Sequence, residues 1–175
     1  MRTMLTRLRD ERGQGIIELI VAMVVITVAV LALMASYDEA FVSLHKSART
    51  TAAATLAETQ LELYGALPYA SIGLSSSLVT TAKASDAYYS TDETALTPSG
   101  TTEVTNGSCT TTVAQCMPVQ TSVTGSDNKN YRVETFIRDI ASGSATERTV
   151  TVIVRDPNTS GTPKIYTATA AFDQG

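Results

Sequence analysis

A carboxylate inside an apolar segment is the feature of this sequence with the clearest chemical consequence. Glu18 is the only charged residue in the 20 residues from Ile16 to Ala35. A charge near the bilayer centre costs about 2.5–3.5 kcal/mol on insertion scales, and less near an interface, so it normally has a partner or a use. Glu18 could snorkel to the cytoplasmic headgroups. Alternatively, it could pair with an ammonium group of a neighbouring chain when apolar helices pack together.

The junction before this carboxylate is the second such feature, and it reads Arg12-Gly13-Gln14-Gly15-Ile16-Ile17-Glu18-Leu19. A small residue stands where a basic, polar segment meets the apolar run. Met1 to Gly13 is short and polar and has the charges of a targeting leader. A secretory signal peptide would have a shorter apolar region with an A-x-A-like cleavage site, and Leu33-Met34-Ala35 matches that site poorly.

The two cysteines, Cys109 and Cys116, enclose a short loop. Disulfides persist outside the cytosol, so an exported domain could use this pair as a local staple. Metal binding is less favoured, because neither a histidine nor a further cysteine lies near the pair. We therefore expect a disulfide and no metal site.

A polar loop near the C-terminus offers a second candidate for metal binding. Asp156, Asn158 and Ser160 precede Gly161, as in the first half of an oxygen-ligand calcium loop. Thr167, however, stands where such a loop would place its bidentate glutamate. The same residues suit a β-hairpin turn, which we expect instead.

Catalysis has little support in the sequence. The only histidine, His45, lies near the apolar segment without a nucleophile in an evident motif beside it. The sequence also lacks a phosphate-binding glycine loop. We therefore expect no catalytic residues, no cofactor and no enzymatic activity.

The apolar segment has the length of a membrane span. A helix over residues 16–35 rises about 30 Å, which matches the hydrocarbon core of a bilayer. The short N-terminal side carries an excess of arginine, namely Arg2, Arg7, Arg9 and Arg12. This asymmetry places the N-terminus in the cytoplasm and the C-terminal part outside, in a single-pass topology.

The helix should continue well beyond the membrane. Neither glycine nor proline occurs between Gly15 and Gly65, and Pro68 follows shortly after. We predict one helix over residues 14–67. Its outer half carries apolar residues at spacings near three and four, which should pack on the remaining domain: Phe41, Leu44, Ala48, Ala52, Leu56, Leu63 and Leu67.

Residues 68–175 should form an exported domain with loops and a small sheet. From Ser71 to Thr124 the chain is rich in Ser, Thr, Ala and Gly, which predicts loops and short irregular strands. Residues 131–139, 149–156 and 164–172 are β-prone and predict three antiparallel strands. The last two would be joined by the 156–163 turn. The fold class is therefore α+β, with the outer helix packed against the sheet.

The N-terminal junction resembles the processing signal of type IV prepilins and of type II secretion pseudopilins. The resemblance implies that a dedicated peptidase cuts between Gly13 and Gln14, that Gln14 becomes an N-methylated terminus, and that Glu18 acts in assembly. Two residues depart from the usual pattern, since Gln14 replaces Phe and Gly15 replaces Thr or Ser. A cut after Gly15 is the alternative, and it would make Glu18 the third residue.

A second resemblance lies at the end of the long helix. The run Leu56-Ala57-Glu58-Thr59-Gln60-Leu61-Glu62-Leu63-Tyr64-Gly65-Ala66-Leu67-Pro68-Tyr69 is similar to the helix end of PilV-like minor pilins. A plain helix C-terminus would explain the same run. The membrane half lacks the proline of many major pilins, which favours a minor pilin or a pseudopilin.

The resemblance implies a pilin-like fold and a structural subunit, minor rather than major, of a type IV pilus or related filament. Its partners would be other pilin subunits, the prepilin peptidase, the pilus assembly platform and, before assembly, membrane lipid. A type II secretion pseudopilin and a membrane-anchored extracellular binding module are the alternatives.

The net charge of the chain bears on whether nucleic acid is a partner. The leader carries four arginines and two acidic residues, so the formal charge of −4 becomes about −6 after cleavage. Such a surface does not favour nucleic acid as a partner.

Overall fold

The computed structural model describes residues 7–97, 100–109, 113–142 and 145–174, with side chains from residue 15 onward except at 141, 142 and 145. The chain divides into two compact units between Lys46 and Ser47. It is an α+β protein with a long N-terminal apolar helix and a small antiparallel sheet, as the sequence predicts.

Helix α1 runs from Arg7 to Gly65. It begins within the predicted leader and ends two residues before the predicted end. The amides of Ala66 and Leu67 still donate to carbonyls of the last turn, at 3.1 and 3.0 Å. Gly65 and Pro68 then end the helix, because glycine favours helix C-termini and proline lacks the amide that a further turn needs.

The N-terminal unit consists of an apolar helix with exposed side chains. Each large apolar side chain from Ile16 to Leu44 is 44–68% exposed. An 18-residue window within this helix has a mean hydropathy of 3.0. Exposed apolar surface of this extent is stable in a lipid bilayer or against other apolar helices.

The C-terminal unit is built on a five-stranded antiparallel sheet. The strands are β1 (Thr101–Glu103), β2 (Val119–Thr124), β3 (Asn130–Ser142), β4 (Ala145–Arg155) and β5 (Lys164–Phe172). The sheet order is β1-β3-β4-β5, and β2 pairs with the first half of β3. The three strands predicted from the sequence are confirmed as β3, β4 and β5.

Two helices replace part of the predicted loop region. Helix α2 spans Ser76–Ser85 and helix α3 spans Ala87–Ala95. The Asp86 carboxylate caps α3 by accepting hydrogen bonds from the amides of Tyr88 and Tyr89, both at 3.1 Å. The prediction of loops was wrong here, because these helices are short and are stabilised by packing on the sheet.

The core lies between α1 and one face of the sheet. Alanines of α1 allow its backbone to approach the strands closely, and Tyr64 fills the space nearer the helix end. The buried residues of this cluster include Ala52, Ala53, Ala57, Tyr64, Val133, Ile137, Val150, Val152 and Val154. The predicted apolar surface was partly wrong, since Phe41, Leu44 and Leu63 are 57%, 65% and 38% exposed.

Candidate functional site

Glu18 lies within the exposed apolar part of α1. Gly13 and Gln14 belong to the same helix, and the structure describes side chains only from residue 15 onward. Glu18 is exposed, and the adjacent Ile17 and Leu19 are 65% and 59% exposed. The structure thus places a carboxylate among apolar side chains one helical turn, about 6 Å, beyond Gln14.

The surroundings of Glu18 contain no charge-neutralising group in the described part of the chain. None of the ion pairs between described side chains includes Glu18.

Gly15 lies between the predicted cleavage site and Glu18. A Cβ atom placed on Gly15 would meet no atom within 4 Å. The helix therefore has room for a side chain at this position. Packing within the described chain does not require this glycine.

The cysteine pair lies where α1 meets the C-terminal domain. Cys109 and Cys116 are at disulfide distance, with 5.4 Å between their Cα atoms. The loop before Cys116 accepts two hydrogen bonds from α1: Gln60 Nε2 donates to the Ala114 carbonyl at 3.2 Å and Tyr64 Oη to the Gln115 carbonyl at 2.7 Å. Burial raises the pKa of Tyr64 to about 12.

Replacing both Cys109 and Cys116 with Ser should lower the free energy of unfolding by about 2.5 kcal/mol, because the open loop gains entropy in the unfolded state. Urea unfolding of residues 47–175 measures this effect. Tyr64→Phe is the control, since it removes one hydrogen bond to the same loop and keeps the disulfide. Equal unfolding midpoints for the double variant and the parent would contradict the stabilising role.

The polar loop near the C-terminus is a β-hairpin turn between β4 and β5, as predicted. Asp156 is buried, and its carboxylate accepts hydrogen bonds from Arg49 of α1 and from the Thr159 hydroxyl. The backbone amide of Asn158 donates to the same carboxylate at 2.9 Å. Asp156 therefore joins the hairpin to α1, and its oxygens are engaged by protein groups that a calcium ion would have to displace.

A charged layer between α3 and the other face of the sheet was missed by the sequence interpretation. Carboxylates come mainly from the α3 region and cations mainly from the strands. Its members are Lys83, Asp86, Asp92, Glu93, Glu103, Arg132, Glu134, Arg138, Arg155 and Lys164. The spacing of Arg132, Glu134 and Arg138 was a signal, since even-numbered residues of one strand share a face.

Glu134 is at the centre of this charged layer. It is fully buried and accepts hydrogen bonds from Arg132 Nε at 2.7 Å and Arg155 Nε at 3.0 Å. Arg155 also pairs with Asp92, which in turn pairs with Lys164 Nζ at 2.7 Å. Removing one of these cations would leave part of the buried charge uncompensated, which is strongly destabilising.

The same pairing affects the carboxylates at the edge of the layer. Burial acts to raise the pKa of Asp86, but hydrogen bonds from Arg132 and from backbone amides outweigh it and hold the pKa below its usual value. Burial likewise acts to raise the pKa of Glu93, and its bonds from Arg138 and Lys83 outweigh that effect. Both carboxylates therefore stay ionised to a lower pH than unpaired carboxylates would. Their ion pairs join the α3 region to strand β3, so the layer acts as a structural brace.

No family model, curated protein or solved structure matches this chain. The features that bear on function are therefore its own: the exposed apolar helix, the Gly13–Glu18 register and a braced C-terminal domain.

Proposed function

We propose that this protein is a structural subunit, minor rather than major, of a type IV pilus or related filament. The observation that carries the proposal is the register of Gly13, Gln14 and Glu18 where the apolar, exposed part of α1 begins. A peptidase would remove residues 1–13, and the new terminus at Gln14 would carry an ammonium group. The protein would first be held in the cytoplasmic membrane and would then enter a filament outside it.

Assembly would rest on a charge pair between neighbouring helices. Gln14 and Glu18 are separated by about 6 Å along the helix axis. Two parallel helices offset by about that distance would bring the ammonium group of one chain beside the carboxylate of the other. Each charge would then compensate the other in an apolar filament core, and the pair would set the axial register, which a purely apolar contact leaves free to slide.

The proposed partners follow from the order of membrane insertion, leader removal and assembly. Membrane lipid surrounds the helix first, the prepilin peptidase and the assembly platform act on the protein there, and other pilin subunits replace the lipid. The domain held by the charged layer would then lie on the filament surface. The experiment that tests the proposal is the N-terminal mass of the mature protein, which should begin at Gln14 and carry a methyl group.

Gly13→Leu should block leader removal and leave the full-length chain in the cytoplasmic membrane, because a bulky residue would replace the small one before the cut. Immunoblotting of membrane fractions measures the size of the chain. The matched control is Gly15→Ala, for which the helix has open space. Normal processing of Gly13→Leu would refute this cleavage site, and a block by Gly15→Ala alone would move the site to Gly15.

A further inference from the structure

The chain contains two asparagines in the three-residue pattern that accepts N-linked glycans, Asn106-Gly107-Ser108 and Asn158-Thr159-Ser160. Short patterns of this kind arise by chance in a chain rich in serine and threonine. A glycan acceptor must also present its amide nitrogen to an enzyme, and the structure distinguishes the two asparagines on this point.

The Asn106 side chain is held within the fold. Its Nδ2 donates to the Ser71 carbonyl at 3.1 Å, and its Oδ1 accepts from the Ser108 amide at 2.9 Å. Its backbone amide donates to the Leu74 carbonyl at 2.8 Å. A Cβ atom on Gly73 would lie only 2.9 Å from the Asn106 Cβ, so the two segments are in close contact. Presenting this amide would require separating them.

Asn158 lies in the hairpin turn between β4 and β5. Pro157, Asn158, Thr159 and Ser160 are all exposed, and the turn is closed below them by the buried Asp156. Its backbone amide is engaged by Asp156, whereas no hydrogen bond joins its side-chain amide to any described residue. The Ser160 hydroxyl, two positions on, is likewise without a partner among the described residues.

We propose that Asn158 is the acceptor of an N-linked glycan on the exported domain. The donor would be an oligosaccharide on a lipid diphosphate, supplied on the outer side of the membrane. A bond forms between Asn158 Nδ2 and the anomeric carbon of the sugar, and the bond from that carbon to the diphosphate oxygen breaks. The lipid diphosphate leaves with the electron pair, and the amide nitrogen loses one proton to the transferase. This inference rests on the proposed function only for the export of the domain.

The test is mass spectrometry of peptides from the exported protein purified from its native host. The peptide with Asn158 should carry added sugar mass, and the peptide with Asn106 should not. Asn158→Gln and Ser160→Ala should each abolish the added mass, whereas Ser160→Thr, which keeps the hydroxyl, and Asn106→Gln should retain it. Enzymatic release of the glycan should leave an aspartate in place of the asparagine.

Three outcomes would overturn the proposal: an unmodified Asn158 in the exported protein, sugar on Asn106 instead, or added mass that persists in Ser160→Ala. The N-terminal mass of the same samples separates this proposal from the pilin proposal. A chain that begins at Gln14 but lacks sugar refutes glycosylation alone, and a glycosylated chain with its leader intact refutes prepilin processing alone.

Discussion

Arg155→Met should lower the free energy of unfolding by about 3–5 kcal/mol, the usual cost of leaving a buried charge without its partner. Arg155 binds Glu134 at 3.0 Å and also pairs with Asp92. These carboxylates have side chains that are 0% and 4% exposed. Met retains much of the apolar volume of Arg, so the expected loss comes mainly from the charge and its hydrogen bonds.

Lys164→Met is the matched control for this prediction. Lys164 pairs with the same Asp92, at 2.7 Å, but its side chain is 45% exposed. Because Lys164 is half exposed and Arg155 still faces Asp92 in this variant, the control should lose clearly less stability than Arg155→Met does. Urea unfolding of residues 47–175 at neutral pH measures both variants. Equal, small losses for Arg155→Met and Lys164→Met would show that the charged layer is not a brace.

Glu18→Ala should lower incorporation into filaments by roughly tenfold or more while leaving membrane insertion and leader removal intact. Insertion gains from the loss of a charge in an apolar segment, whereas assembly loses the partner of the Gln14 ammonium group on the adjacent subunit. The two effects have opposite signs. A simple defect in expression or insertion would lower both amounts together.

The measurement is the amount of subunit in membranes and in sheared filaments, with the unaltered subunits co-expressed. Glu39→Ala is the control, since Glu39 is an exposed carboxylate on the same helix that lies beyond residues 16–35. The N-terminus must be checked by mass, because cyclisation of Gln14 to pyroglutamate would remove the ammonium group. Equal incorporation with an intact amine would make Glu18 a snorkelling interfacial residue.

The same experiment separates a filament subunit from a membrane anchor. An anchored binding module would remain with the membranes after shearing, whichever residue stood at position 18. A filament subunit with Glu18 intact would appear in the sheared fraction. The exposed apolar helix is compatible with both, because lipid and neighbouring helices each provide apolar surroundings.

Breaker residues and β-prone runs predicted α1 and the strands β3, β4 and β5, because those signals are local. The absence of glycine and proline between Gly15 and Gly65 predicted α1, and the run of β-branched residues at 149–154 predicted β4. The short helices α2 and α3 were missed, because a helix of about ten residues has marginal stability in isolation. Contacts with the sheet, including the stacked rings of Tyr89 and Phe136, hold α3 in place.

The sequence by itself determined the length of the apolar segment, the position of Glu18 within that segment and the short spacing between the two cysteines along the chain. Each of these depends only on residue type and position. Only the tertiary structure decided which side chains of α1 are buried, since that depends on how closely alanines let the sheet approach. It also decided that Glu134, Arg155 and Asp92 meet, because strands and helices distant in sequence supply them. The tertiary structure likewise decided that the side chain of Asn158 is exposed, whereas the side-chain amide of Asn106 is hydrogen-bonded to the Ser71 carbonyl.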